Sequence, residues 1–222
     1  MDKLKLKVIV TAGGVSTRYG KNKLTEILAG KPVIVRSVEA FTSLGYKVVV
    51  TAAADYIDAY HALFEDNDVV KIVQGGSTRQ ESVYNGLKAC GACEFVAIHD
   101  AARPLISKYD IENCLNIAFD CGSAVLGVKT TDTVKVLDEN MNIVKTPDRK
   151  TLFNAQTPQI FRYSELFTAH EKFANTSGFT DDSSLVEACN IRPKAVCAKF
   201  PNIKITVSED IKIAENIISS GL

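Results

Sequence analysis

Short apolar runs alternate along the chain with segments whose apolar residues recur every three or four positions. Lys7 to Thr11, Lys47 to Thr51, Val69 to Val73, Phe95 to His99 and Ser123 to Val128 are unbroken enough to be strands buried on both faces. Between them, Pro32 to Leu44, Asp55 to Phe64, Arg79 to Ala89 and Asp110 to Cys121 carry helical spacing. Pro32 suits a first helical turn and Gly45 a stop. Strand–helix alternation of this kind predicts an α/β fold, a mostly parallel sheet with helices on both faces. Ligands of such sheets bind beyond the carboxyl ends of the strands. The loops to read are therefore those after Thr11, Val73, His99 and Val128.

The rhythm then breaks. Thr131 to Leu137 alternates polar and apolar residues, Asp138-Glu139-Asn140 is a turn, and Met141 to Val144 returns. A β-hairpin over about 131–150 follows. A lone hairpin is marginal in water, so it packs either on its own domain or on a partner subunit. Helices are expected over Arg162–Asn175, Asp182–Cys189 and Asp210–Ser219, with a strand over Ala195–Phe200. No repeat or linker divides the chain, which gives one domain over 1–222.

Charge narrows the function. The 26 basic and 26 acidic residues cancel, whereas a non-specific nucleic-acid binder carries a basic excess. No stretch has the apolar length of a membrane span, no signal-peptide pattern is visible, and a cytoplasmic location is expected. Of six cysteines, Cys90 and Cys93 form a C-x-x-C. A zinc site would need a second pair or histidines at ligand spacing. His61, His99 and His170 are isolated, so ordinary thiols of a reducing compartment are expected.

The first loop brings chemistry. The strand Lys7 to Thr11 runs into Ala12, Gly13 and Gly14, then Arg18, Lys21 and Lys23. Glycine N–H groups followed by cations suit a polyphosphate. The loop is neither a Walker sequence nor a Gly-x-Gly-x-x-Gly fingerprint, and the latter gap disfavours a nicotinamide-dependent oxidoreductase. After Val73 come Gly75, Gly76, Ser77, Thr78, Arg79 and Ser82, which could read the edge of a base. Asp100 ends a strand, where a ribose-hydroxyl or metal ligand is usual, although an Asp100–Arg103 ion pair would also shape the turn. Lys204 sits inside the apolar run Asn202 to Thr206, which on a core face calls for an anionic partner, the alternative being a side chain that snorkels to the surface.

These motifs fall in one order: Ala12-Gly13-Gly14-x-x-Thr17-Arg18, Asn22-Lys23, His99-Asp100-Ala101-Ala102-Arg103-Pro104, Asp132-Thr133-Val134-Lys135, Asp148-Arg149, Gln156-Thr157-Pro158-Gln159, Thr180-Asp181-Asp182 and Asn202 to Thr206. The chain resembles the 2-C-methyl-D-erythritol 4-phosphate cytidylyltransferase family nearly end to end. The resemblance implies a Rossmann-like nucleotidyltransferase fold, a homodimer joined by the hairpin as a β-arm, and Mg²⁺. It implies transfer of CMP from CTP to methylerythritol 4-phosphate, with release of pyrophosphate.

Residue by residue, it implies that Arg18 and Lys23 hold the CTP phosphates. Ala12, Gly13, Gly14, Gly76 and Ser82 would line the CTP pocket. Asp100, Arg103 and Thr180 would lie near the acceptor hydroxyls, with Asp100 also beside CTP and the metal, which the phosphates mainly carry. Thr133 and Arg149 would reach the acceptor phosphate from a partner subunit, and Lys204 would stand at the reacting α-phosphate. Gly13 and Ser16 depart from the family's usual Ala-Ala-Gly-x-Gly-x-Arg loop and lean toward ribitol-5-phosphate cytidylyltransferases. Asp100 to Pro104 and Thr180 to Glu187 lean back to methylerythritol. A nucleotide-sensing domain without catalysis is the remaining alternative, against which stand the intact Lys23, Arg149 and Lys204.

Overall fold

A computed structural model describes residues 5–13, 22–91 and 93–221. Arg18 and Gly14, like Thr17 and Lys21, lie outside the described residues. Strand β1 (Leu6–Ala12) leads to a small hairpin of β2 (Ile27–Leu28) and β3 (Lys31–Pro32). Then come α1 (Val33–Thr42), β4 (Lys47–Ala52), α2 (Ile57–Leu63), β5 (Val70–Gln74), α3 (Arg79–Cys90), β6 (Phe95–Asp100), α4 (Lys108–Cys121) and β7 (Ser123–Lys129). The second half holds β8 (Val136–Leu137), β9 (Ile143–Lys145), β10 (Phe153–Arg162), α5 (Tyr163–Lys172), α6 (Asp182–Glu187), β11 (Lys194–Cys197) and α7 (Glu209–Ser219).

Seven strands form one sheet in the order β11-β7-β10-β6-β1-β4-β5. Only β10 runs against its neighbours; the other pairings are parallel. Two apolar clusters cover the two faces. Val8 and Val10 of β1 pack with Val38 and Phe41 of α1 and Leu115 of α4, while Ile9 faces Leu87 of α3 and Leu166 of α5. Both faces are dry, which explains why the strands are continuous apolar runs rather than alternating ones. The chain reverses its winding at β1, between β6 and β4, so a crevice opens where β1, β5 and β6 end.

The strand–helix alternation predicted from the sequence stands. Several elements differ: the β2–β3 hairpin was not expected and takes in Pro32, assigned to the first turn of α1, and β8 keeps only Val136–Leu137 of the strand expected from Thr131. The strand expected over Ala195–Phe200 ends at Cys197. More importantly, β10 has no counterpart in the sequence reading, and Arg162, expected in a helix, closes it. Its Asn154, Gln156 and Gln159 interrupt the apolar pattern, and Pro158 would normally exclude a central strand. The β10–β7 register shifts between Ala155 and Gln159, which is where Pro158 sits, so its missing N–H breaks no regular ladder.

The close approach of β7 and β10 fixes Gly127. A Cβ there would fall 2.4 Å from the Asn154 carbonyl oxygen and 2.5 Å from Phe153 Cε1. Gly127→Ala should therefore part the two strands and lose about 1–3 kcal/mol, as overpacked cores do. A melting temperature equal to that of the unmodified protein would contradict this.

The hairpin β8–β9 forms its own two-stranded sheet. Around it, Val136, Leu137, Met141, Ile143 and Val144 are exposed, Met141 at 74%. Of the two packings left open by the sequence, folding back onto its own domain is not what the described residues do.

Candidate nucleotide-binding site

The crevice is a cavity of about 270 Å³ lined by Ala12, Gly13, Lys23, Gly76, Ser82, Asp100 and Lys204, together with Thr11, Leu24, Ser77, Thr78, Arg79 and Ala102. The first-loop, second-loop and Asp100 motifs thus meet, although 190 residues separate Gly13 from Lys204 in sequence, roughly the whole chain. Lys23 opens a short 3₁₀ turn capped by Asn22, whose side chain accepts from Leu24 N–H. Gly76 turns against α3, where a Cβ would lie 2.1 Å from that of Glu81. Ser82 is buried and accepts from Gly76 N–H at 3.0 Å while donating to the Thr78 carbonyl at 2.9 Å. Its hydroxyl thus shapes the second loop from behind.

Asp100 is the electrostatic centre. Lys204 Nζ donates to its Oδ2 at 2.8 Å, Arg103 Nε stands 3.6 Å from the same oxygen, and Arg79 Nε is 4.0 Å from Oδ1. Burial pushes the Asp100 carboxyl up, but Lys204, Arg79 and Arg103 outweigh it and hold the group at about 2. The ionised form therefore stabilises the fold above the unfolded carboxylate value, near 4, and that contribution is lost as pH falls from about 4 to 2. It is worth about 2 kcal/mol by linkage. Asp100→Asn should show a shallower loss of stability on acid titration across that window. Parallel acid-unfolding curves for the two proteins would contradict the assignment.

The backbone of Asp100 is pinned by β10. Asp100 N–H donates to Thr157 Oγ1 at 3.0 Å, and Thr157 Oγ1 lies 3.1 Å from His99 Nδ1. His99 Nε2 lies 3.1 Å from the Arg103 carbonyl. Burial depresses the His99 imidazole to about 4. The neutral ring then donates from Nε2 to Arg103 and accepts the Thr157 hydroxyl proton at Nδ1. Asn202 Nδ2 donates to the Thr157 carbonyl at 2.9 Å, and its own carbonyl accepts from Arg103 NH1 at 2.8 Å. Gln159 Nε2 donates to Asp181 Oδ2 at 2.7 Å. Thus Gln156-Thr157-Pro158-Gln159 ties together the Asp100 loop, the Lys204 segment and the Thr180–Asp182 segment.

Lys204 sits on an irregular stretch, not a strand. Ile205 on one side is buried and its N–H donates to the Ala102 carbonyl at 2.8 Å, while the Lys204 side chain stays 42% exposed and turns to Asp100. The lysine inside an apolar run has the anionic partner its position called for. Of the readings offered for it, the structure shows Arg103 bracing the Asp100 turn, with Nε 3.6 Å from Asp100 Oδ2; it does not line the pocket.

Besides Arg103, three expected site residues lie outside the pocket lining, two of them, Thr133 and Arg149, being residues expected to reach a partner's pocket. Thr180 is exposed, just before the capping residue Asp181. Thr133 is exposed on the hairpin, and Arg149 at its base donates to the Thr131 carbonyl at 3.1 Å. Neither lines the pocket. The sequence reading left Thr157, Gln159 and Asp182 out of the site. The signal for the first two was the Gln-Thr-Pro-Gln motif itself, polar residues clustered in what proves to be a central strand.

For a metal, the donor set is thin. Among the described residues no three His, Cys, Asp or Glu side chains converge. Among the described residues Asp100 is the one carboxylate lining the pocket, and three cations already neutralise it. The residues fit a cation carried on nucleotide phosphates with Asp100 alongside, not a protein-held metal. Cys90 and Cys93 contact main-chain carbonyls, of Leu87 and Phe95 among others, as structural thiols do. Among the described residues no helix is long and apolar enough to cross a membrane.

A doubly wound sheet with a cation-lined crevice at its switch point defines a Rossmann-like nucleotide-binding protein. Residues 6–220 match the model of the 2-C-methyl-D-erythritol 4-phosphate cytidylyltransferase family, so the chain belongs to that family of nucleotidyltransferases. A cytidylyltransferase of that name from Caldanaerobacter subterraneus subsp. tengcongensis is 41% identical over 96% of this chain and 98% of its own length. One from Endomicrobium trichonymphae is 40% identical over 98% of this chain and all of its own. A crystal structure of 4-diphosphocytidyl-2C-methyl-D-erythritol synthase from Anaerococcus prevotii superimposes with a TM-score of 0.87 at 28% identity, covering 98% of this chain and 100% of that one. Enzymes of this class generally use a divalent cation.

Proposed function

We propose that this protein, as one domain over 1–222, transfers CMP from CTP to 2-C-methyl-D-erythritol 4-phosphate, giving CDP-methylerythritol and pyrophosphate in non-mevalonate isoprenoid biosynthesis. The observation that carries it is Asp100 ringed by Lys204, Arg79 and Arg103 at the mouth of a crevice that also holds Lys23, Gly13 and Gly76. The family membership supports the same reading and sets ribitol 5-phosphate aside as acceptor.

The chemistry suits the site. A phosphate monoester has its second pKa near 6 and is ionised at neutral pH, so the attacking oxygen needs no base. Asp100, held ionised and cation-bound, is a positioning group. What the site must do is bring two anions into line and stabilise the charge that develops on transfer. Lys23, with Arg18 in the same loop, would hold the triphosphate. Lys204 would stand at the α-phosphate. Gly76 and the Ala12–Gly13 backbone, with Gly14, would cradle the base, with Ser82 shaping the loop. Arg103, Thr180 and Asp100 would orient the acceptor. Mg²⁺ is the cation assigned; it would neutralise the triphosphate, with Asp100 the nearby protein carboxylate.

The exposed apolar arm favours a homodimer in which Thr133 and Arg149 reach the acceptor phosphate in the partner's pocket. A cytoplasmic setting, which supplies CTP and leaves six free cysteines reduced, fits the same reading. The test is pyrophosphate release with CTP and Mg²⁺. Methylerythritol 4-phosphate should support turnover well above ribitol 5-phosphate. Equal or inverted rates would overturn the acceptor assignment, and release with neither acceptor would overturn the activity.

A further inference from the structure

Behind the pocket, α5 and α6 bring against the pocket residue Arg79 two polar side chains that the site described above does not use. Asp182, the first residue of α6, is 2% exposed, and His170 near the end of α5 is 1% exposed. Arg79, the first residue of α3, lines the pocket. Arg79 NH2 lies 2.7 Å from Asp182 Oδ2, and His170 Nε2 lies 3.4 Å from Asp182 Oδ1. Burial pushes the Asp182 carboxyl up, but Arg79 and His170 outweigh it and hold it below the usual range. The Tyr84 ring lies nearly parallel to the imidazole, 6.0 Å away.

His170 is the odd member. Among the described residues Nδ1 has no hydrogen-bond partner, and Nε2 has only the long 3.4 Å contact to Asp182 Oδ1. An apolar side chain of similar size would fill the space without leaving buried nitrogens unsatisfied. The nearest polar group is the carboxylate that holds Arg79. On the other side of Arg79 stand Asp100 at 4.0 Å and, through it, Lys204. A chain of alternating polar groups thus runs from the interior into the crevice.

We propose that His170 is a positioning residue for nucleotide binding: by bracing Asp182 it fixes the Arg79 guanidinium in the pocket wall beside Asp100, against a bound nucleotide. This rests on the pocket being the CTP site. Arg79 has two anionic neighbours, Asp182 and Asp100, and a guanidinium free to choose between them would lose its place against the ligand. A second polar contact on Asp182 keeps that carboxylate, and with it Arg79, in one arrangement.

Two replacements of His170 separate positioning from packing. His170→Leu should raise the Kd and KM for CTP about threefold to tenfold, the size of one lost buried polar contact. It should leave kcat within about twofold of the unmodified enzyme and the melting temperature undiminished, as a change confined to binding requires. His170→Gln, which keeps an N–H toward Asp182, should restore most of the affinity. Arg79→Lys combined with His170→Leu should bind no worse than Arg79→Lys alone, because both act through one contact. Should His170→Leu not fold, Asp182→Asn, isosteric with the native residue, should show the same rise in Kd. Unaltered CTP binding in these variants overturns the proposal, as does a fall in melting temperature and active fraction at constant KM. Failure of the unmodified enzyme to bind CTP would overturn the pocket assignment as well, so the two failures are told apart by the parent protein.

Discussion

Lys204→Ala should reduce kcat by a factor of about 100 or more while barely changing the melting temperature. The loss corresponds to about 3 kcal/mol of transition-state stabilisation, the scale seen when one preorganised donor to a developing charge is removed. Lys204 is well placed for that role: its ammonium group is at the pocket wall, 2.8 Å from Asp100, on a segment whose neighbour Ile205 is anchored in the core. Stability should be nearly indifferent because the Lys204 side chain is 42% exposed, and a pair of that kind contributes about 0–1 kcal/mol. Asp100 also keeps Arg79 and Arg103 in the variant. Steady-state kinetics beside a thermal melt separates the two quantities. Near-native turnover would remove Lys204 from the catalytic account.

The second large effect is on the fold that carries Lys204. Asp110 on α4 is fully buried. It accepts from Lys199 N–H at 2.8 Å, Phe200 N–H at 3.3 Å and the Ser107 hydroxyl at 2.8 Å. These bonds carry the chain from the end of β11 into the irregular Asn202–Lys204 segment, which has no ladder of its own. Asp110→Ala leaves two part-buried amides and a hydroxyl without their acceptor, at about 1–3 kcal/mol for each unsatisfied group. A total near 4 kcal/mol would lower the melting temperature by about 10 °C in a chain of this size. Activity should fall with it, since Lys204 loses its footing. Asp110→Asn, which retains acceptor oxygen, should lose less. An unchanged melting temperature for Asp110→Ala would show that the segment is held some other way.

The parallel half of the sheet was legible because its strands are buried on both faces and say so in unbroken apolar residues. The crevice was legible for a related reason: Gly13, Gly76, Asp100 and Lys204 carry chemistry that a turn or a core would not need. Strand β10 was not legible. Its Gln156, Thr157 and Gln159 spend their side chains on Asn202, the Asp100 amide and Asp181, so the residues that organise the site erase the hydrophobic pattern that would have announced a strand. Pro158 hides it further by sitting in the register shift. Asp182 and His170 escaped for the opposite reason, since a lone acid and a lone histidine on amphipathic helices carry no signal until α3, α5 and α6 are packed together.

The most direct test of the central claim follows the phosphorus atoms of CTP. With Mg²⁺, methylerythritol 4-phosphate and CTP labelled at either the α or the γ position, the α label should appear in CDP-methylerythritol and the γ label in pyrophosphate, in equal amounts, with both transfers strongly suppressed in Lys204→Ala. An α label that never reaches the acceptor, or pyrophosphate formed at the same rate without acceptor, would contradict the account.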